Sequence, residues 1–368
     1  MWWLIVFLQD VNAPQVKLFM SVLKFLLLPF AMLYDMITSI RNHLYDRQLK
    51  PSARYDFPVI GVGNLAIGGT GKTPMVEHLI RLLSAHTKVA TLSRGYGRKT
   101  NGLRFANEQD TAFTIGDEPM QLYSKYGNQV IVAVCEDRAL GIPSILQEFP
   151  ECGVILLDDA LQHRRVTPGF MILLTDYSRP FYSDHVLPYG RLREGSEGAL
   201  RADVIVVTKC PHDISEEEMM TMENAIHRTA HRPVYFSTIR YSDPVAVNGA
   251  TSLSANVVLV SGIANPMGLE QHIRRNFNLL RHFEFRDHHV YSKHDMEIVA
   301  DFVVKQNAPV SVITTEKDLV KLTVNKLRAT MEKLDLFYLP IEMEFIRNGK
   351  DFDTLVLDYL KRATPLQA

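Results

Sequence analysis

The chain is poor in cysteine: Cys135, Cys152 and Cys210 are its only three, and they are scattered, with no C-x-x-C pair. That excludes a disulfide framework and a zinc-finger spacing, and reads as buried thiols in a reducing compartment. It also lacks an excess of either charge. Forty Lys and Arg stand against 41 Asp and Glu, a formal net charge of −1, so no global basic field points to nucleic acid. Internal repeats and low-complexity tracts are missing too, which leaves ordinary globular architecture. What is present agrees: 46% hydrophobic and 22% charged residues over 368 positions, enough for two domains.

One stretch departs from that average. Residues 18–42 read "LFMSVLKFLLLPFAMLYDMITSIRN". Wound as a helix, they place Ser21, Lys24, Asp35, Ser39 and Asn42 on one narrow stripe, with nearly everything else apolar. The densest part would reach only ~25 Å, and it contains Lys24 and Pro29. A bilayer core is ~30 Å thick, so an amphipathic helix lying in the interface is expected over a spanning one. Packing on a neighbouring domain is the bland alternative. A basic leader and a small-residue cleavage site are both lacking, so no secretory signal is expected, and Met20 is an alternative start. Residues 1–48 are assigned to this membrane-associating segment.

After Pro51 the pattern changes to short apolar runs alternating with helical segments. "FPVIGVGN", "KVATLS", "QVIVAV", "GVILLDD", "FMILLTD" and "DVIVVTK" are strands apolar on both faces, as a buried, mostly parallel, doubly wound α/β sheet requires. This first lobe is assigned to residues 49–240. A second, smaller α/β lobe, residues 250–335, carries "NVVLVSGI", "LLRHFEFRD", "VSVITT" and "LDLFYLPI". "VYFSTIRY" and "LFYLPIEMEF" are expected to pair as a two-stranded linker, with the helix of residues 348–368 returning to the first lobe.

"GVGNLAIGGTGKTP" joins a strand to a helix through a glycine-rich loop, the context a phosphate-binding loop needs. The pattern G-x-x-x-x-G-K-[ST] fits Ala66-Ile67-Gly68-Gly69-Thr70-Gly71-Lys72-Thr73, except that Ala66 stands at the first glycine. Backbone N–H groups here would converge on phosphate oxygens at a helix N-terminus. Lys72 would supply a point charge and Thr73 a hydroxyl for Mg²⁺. "GVILLDDA" ends in Asp158-Asp159, the acidic partner such a loop uses, with Asp159 favoured for metal and a helix cap as the alternative. "GDEP" puts Asp117 and Glu118 at a helix start, where an N-cap is the plain reading. "RDHHVYSKH" clusters His288, His289 and His294 without any standard metal spacing. "SRGYGRK" offers Arg94, Tyr96 and Arg98 as an anion- or sugar-binding loop or a solvated basic turn. Residues 176–201, including "LPYGRLREG", form a long loop of the functional kind. "TTEKD" sets Thr315 and Asp318 in capping-box spacing. "VVTKCP" lacks the acid a guanine-reading T-K-x-D needs, so a GTPase is disfavoured.

Taken in order, "VGNLAIGGTGKTP", "LSRGYGR", "GDEP", "LLDDALQHR", "LPYGRLRE", "DHHVY" and "TTEKD", behind a hydrophobic N-terminal helix, resemble the tetraacyldisaccharide 4′-kinase family of lipid A synthesis. That family's loop commonly lacks the first glycine, so Ala66 conforms to it. The resemblance implies a P-loop NTPase-like core and transfer of the ATP γ-phosphate to the 4′-hydroxyl of an acylated glucosamine disaccharide 1-phosphate. It implies work at the cytoplasmic face of a Gram-negative inner membrane, with no nucleic acid and no obligate protein partner. By resemblance, Asp117 and His288 are the proton-accepting pair, with Lys72 catalytic, and Glu118 and Asp159 lie near Mg²⁺. Asn64, Arg94, Tyr96, Asp158, Arg193 and Glu194 are assigned to the acceptor. The rival from another class is a membrane-associated ATPase or GTPase switch acting on a protein partner.

Overall fold

The computed structural model describes residues 13–247, 249, 252–324 and 326–364. Residues 1–12 and 365–368, the outer ends of the expected N-terminal segment and C-terminal helix, lie outside the described residues, as do the side chains of Ser21 and Lys24.

Among the described residues a helix, Ala13–Asp46, precedes fourteen strands. These are β1 (Val59–Asn64), β2 (Lys88–Ser93), β3 (Arg104–Phe105), β4 (Val130–Val134), β5 (Cys152–Asp158), β6 (Phe170–Asp176) and β7 (Val204–Thr208). They continue with β8 (Val234–Tyr241), β9 (Val245–Ala246), β10 (Asn256–Ser261), β11 (Asn278–Glu284), β12 (Ser311–Thr315), β13 (Leu336–Leu339) and β14 (Ile341–Phe345). Nine form one sheet in the order β14-β8-β7-β6-β1-β5-β2-β4-β3, parallel except at its two edges. The other five form the second sheet, β11-β10-β12-β13-β9.

The apolar runs are explained by helices on both faces of the large sheet. Along β6, Met171 and Leu173 enter one core with Ile142 and Ile205, while Ile172 and Leu174 enter the other with Met75 and Leu79. Gly63 on β1 is required by close approach, since a Cβ there would lie 2.8 Å from the Leu161 backbone nitrogen. The C-terminal helix, Gly349–Ala363, sinks Phe352, Val356 and Leu360 into the second of these cores.

The linker pairs as expected, but only through the second half of its later segment. "LFYLPIEMEF" breaks at Pro340, which donates no ladder hydrogen bond. β13 stays in the small sheet, while β14 pairs antiparallel with β8, Ile341 opposite Tyr241, and forms the edge of the large sheet.

The N-terminal helix docks with its polar side inward. The Tyr34 hydroxyl donates to the Arg193 carbonyl at 2.8 Å, Arg41 donates to the Gln162 carbonyl at 2.8 Å, and Asn42 Nδ2 donates to Glu194 at 2.5 Å. Outward go Phe30, Met32, Leu33, Met36, Ile37 and Ile40, all more than half exposed. A surface helix of a soluble domain shows the opposite arrangement. Among the described residues no helix is long and apolar enough to cross a membrane.

Candidate active site

The site forms where β1, β2 and β5 end beneath the second lobe. The loop leaving β1 turns through Gly68 at φ 100° and Gly71 at φ 82°, and Gly71 then caps the helix Lys72–Ser84. The left-handed backbone at Gly71 aims N–H groups outward at the helix start, the geometry of a phosphate cradle. Replacing it with alanine should cost about 1–2 kcal/mol in thermal unfolding, because left-handed backbone carries that penalty once a Cβ is present. The rest of the loop is pinned from outside. Ala66 bridges to Leu192, Ile67 donates to the Arg191 carbonyl at 2.8 Å, and the Thr70 carbonyl accepts from the Thr208 hydroxyl at 2.9 Å. Lys209 reaches the Gly69 carbonyl.

Lys72 lies 3.5 Å from Asp159 and donates to Asn64 Oδ1 at 3.2 Å. Arg193 grips Asp159 with two bonds of 2.8 Å. Burial pushes the Asp159 carboxyl up, but Arg193 and Lys72 outweigh it and hold it far below the usual range. Asp159 has a left-handed backbone, φ 51°, which turns its side chain away from that of Asp158.

The two acids therefore face different surroundings. Asp158, not Asp159, lines a small cavity with Thr73, Thr91, Ser93 and Glu118. Burial, with Glu118 and Asp159 nearby, pushes the Asp158 carboxyl up to about 7. Two carboxylates and the Thr73 hydroxyl supply oxygen atoms of the kind a hard cation takes, with Lys317 3.5 Å from Glu118 as a neighbouring charge. Among the described residues no three His, Cys, Asp or Glu side chains form a cage on their own. An ion that keeps waters and phosphate oxygens as most of its ligands does not need one.

Asp117 is no helix cap: Gly116 occupies that position, and Asp117 opens the helix Asp117–Tyr126. Its carboxylate, 6% exposed as a residue, meets His288 Nδ1 at 2.8 Å across the lobe boundary. Burial would raise the Asp117 carboxyl, but the His288 hydrogen bond, Lys317 and Lys321 hold it below its ordinary value. His288 sits at φ 58°, a strained backbone for a histidine, in the turn after β11. His289 points elsewhere, stacked on Phe285 and bonded to Asp295 at 3.1 Å. Tyr96 is exposed and holds its ring 5.0 Å from that of His288, while Arg94 is exposed beside it.

Two acceptor assignments fall elsewhere. Glu194 is 2% exposed and spends its carboxylate on Asn42, Gln162 and Arg201, so it fastens the N-terminal helix. Asn64 is fully buried and holds the Ala66 carbonyl at 2.8 Å, supporting the loop from below.

The sequence reading missed Lys317. It was hidden in "TTEKD", where Thr315 does cap the helix Glu316–Leu322 by accepting from the Asp318 N–H. Lys317 Nζ lies 3.2 Å from His288 Nε2, 3.2 Å from Asp287 and 3.5 Å from Glu118. Burial opposes its charge, but Glu118, Asp117 and Asp287 hold the ammonium above its usual range. The available signal was position: a lysine just past the end of a parallel strand, where such sheets place ligand sites.

The site thus joins a glycine-rich loop with its lysine, a small cavity lined by Thr73, Glu118 and Asp158, and an Asp–His pair supplied by both lobes. Residues 23–361 match the family model described as tetraacyldisaccharide-1-P 4′-kinase. A tetraacyldisaccharide 4′-kinase of Flavobacterium johnsoniae is 42% identical over 93% of this chain and 98% of its own. One from Cytophaga hutchinsonii is 41% identical over 94% of this chain and 99% of its own. Among solved structures, LpxK from Aquifex aeolicus in complex with ATP superposes with a TM-score of 0.71 at 27% identity, covering 92% of this chain and 99% of that one.

Proposed function

The chain belongs to the tetraacyldisaccharide-1-P 4′-kinase family, and from that premise we propose how its own residues divide the work of phosphoryl transfer. It is a kinase of lipid A synthesis that moves the γ-phosphate of ATP to the 4′-hydroxyl of a tetraacylated glucosamine disaccharide 1-phosphate. The loop from Ala66 to Thr73 cradles the phosphates, and Lys72 neutralises charge on those that part. Thr73, Asp158 and Glu118 would hold Mg²⁺, which would offset charge on the phosphates. Arg193 keeps Asp159 fixed so that Lys72 has a set anionic neighbour rather than a free choice of partners.

Asp117 orients His288 through Nδ1, leaving Nε2 as the atom that accepts the sugar hydroxyl proton. Lys317, now 3.2 Å from that nitrogen, must swing toward Glu118 or Asp287 when the hydroxyl arrives. Histidine suits the task because its unperturbed titration lies close to neutral pH. Tyr96 and Arg94 stand at the open side of the pair, positioned to meet the acceptor's sugar and its phosphate. The observation that carries the reading is the 2.8 Å contact between Asp117 and His288, which exists only because the two lobes meet over the loop. Incubation with labelled ATP and acylated disaccharide 1-phosphate in detergent micelles should yield a bisphosphorylated lipid. ATP hydrolysis at a rate indifferent to the lipid would instead favour a switch ATPase.

The outward apolar face of the N-terminal helix supports mooring at a membrane surface, where the acceptor's acyl chains stay buried while its headgroup reaches Tyr96. The membrane is taken to be the inner membrane, on its cytoplasmic face, where ATP is available. Phe30→Asp with Ile37→Asp should cost about 3 kcal/mol of insertion, roughly a hundredfold in vesicle partitioning. The same change should raise KM for a vesicle-embedded acceptor far more than KM for ATP. Equal effects on both would assign the helix to folding alone.

A further inference from the structure

Behind the site, on the side away from the loop tip, charge is buried where the lobes join. Glu77, 2% exposed, lies one turn beyond Thr73 on the helix that leaves the loop. Its carboxylate accepts from Gln121 at 3.0 Å and from Lys125 at 2.6 Å. Lys125 sits two turns beyond Asp117 on the helix Asp117–Tyr126. The same ammonium donates to Glu316 at 2.8 Å, and the second oxygen of Glu316 accepts the Ile341 N–H at 3.3 Å. Glu316 is the neighbour of Lys317, and Ile341 is the first residue of β14 returning to the large sheet.

One lysine therefore ties together the helix of the cradle, the helix of Asp117, the second lobe and the returning linker. Ion pairs of this kind contribute little net stability, because removing three charged groups from water offsets their attraction. Their better-attested use is to fix one arrangement among several, since breaking them leaves a charge buried and alone. Here the arrangement fixed is the one in which His288 reaches Asp117.

We propose that Lys125 is a positioning residue, a latch that holds the second lobe at the angle where the Asp117–His288 pair forms. It touches neither substrate nor the reacting atoms. Its removal would leave Glu77 and Glu316 facing each other across the joint, with Arg81, 4.0 Å from Glu77 and in the first lobe, unable to tie the second lobe down, so that the lobes rotate apart.

The test pairs kinetics with a distance. Spin labels at Thr221→Cys and Lys305→Cys, both exposed and one in each lobe, report the inter-lobe spacing, while the three native cysteines are buried. Lys125→Met is expected to lower kcat about a hundredfold with KM for ATP within about twofold, and to broaden the distance distribution. Lys125→Arg, which keeps both ion pairs, is expected to restore both readouts. An unchanged distribution in Lys125→Met overturns the latch, whether or not kcat falls. If Lys125→Met does not fold, Glu316→Gln, which leaves the Glu77–Lys125 pair intact within the first lobe, takes its place. The same fall in kcat and the same broadening are then expected, and an unchanged distribution again overturns the latch. The kinetic arm rests on the kinase reading, and the two fail differently. Without that reading the wild type itself transfers no phosphate; without the latch an active wild type has variants whose spacing does not move.

Discussion

Lys72→Ala is expected to lower kcat about a thousandfold while leaving the fold intact. The magnitude comes from the charge the ammonium meets. A unit pair at ~4 Å in an effective dielectric of about 20 interacts by about 4 kcal/mol, and if most of that is realised as charge builds on the parting phosphates, the loss is of this order. The fold survives because the lysine is not the main partner of its own neighbours. Asp159 keeps two bonds of 2.8 Å from Arg193, and Asn64 keeps its bond to the Ala66 carbonyl. Thermal unfolding should therefore shift by only a few degrees, whereas single-turnover transfer should collapse. Near-normal turnover in this variant would refute the role given to Lys72 in neutralising the phosphates.

What could be read from the sequence follows the range of the interactions involved. The loop, its strand and its helix were legible because Gly68, Gly71 and Thr73 act within one turn of chain, and each obeys a local rule of backbone or charge. The large sheet was legible because both faces of β4 and β7 are buried, so periodicity alone declares it. Residues whose role depends on a partner far along the chain were harder. Glu194 sits beside Arg193 in sequence, yet only Arg193 turns toward the site, while Glu194 meets Asn42 from the N-terminal helix. Asp158 and Asp159 were distinguishable only by a left-handed backbone at Asp159 that no composition rule forecasts. Lys317 obeyed a capping motif that explained its neighbours completely, and nothing local hinted that His288 would fold onto it. The helix of residues 13–46 had a readable polar stripe, but whether that stripe faced solvent or protein was decided by Gln162, Arg193 and Glu194, more than a hundred residues away.

The Asp117–His288 pair carries the second large expectation. Asp117→Ala and His288→Ala should each lower kcat by about 10²–10⁴, the range for loss of a positioned general base. The double variant should be little worse than either single. The reason is geometric: His288 is held in a turn of unfavourable backbone, φ 58°, by one 2.8 Å bond to Asp117, and the aspartate has no separate route to the acceptor hydroxyl. Without Asp117 the imidazole loses its orientation, and Lys317 and Lys321 lose a carboxylate they now face, at 3.9 Å in the case of Lys321. Without His288 the aspartate is a weak base for an alcohol and is buried among ammonium groups that hold its proton affinity down further. Either loss therefore removes the same step, and free energies for groups that act as a unit do not add. KM for ATP should change little in all three variants, because neither residue belongs to the loop that cradles the phosphates. Fully additive losses would mean that the two residues serve separate steps, and the proton would then have to leave by another group.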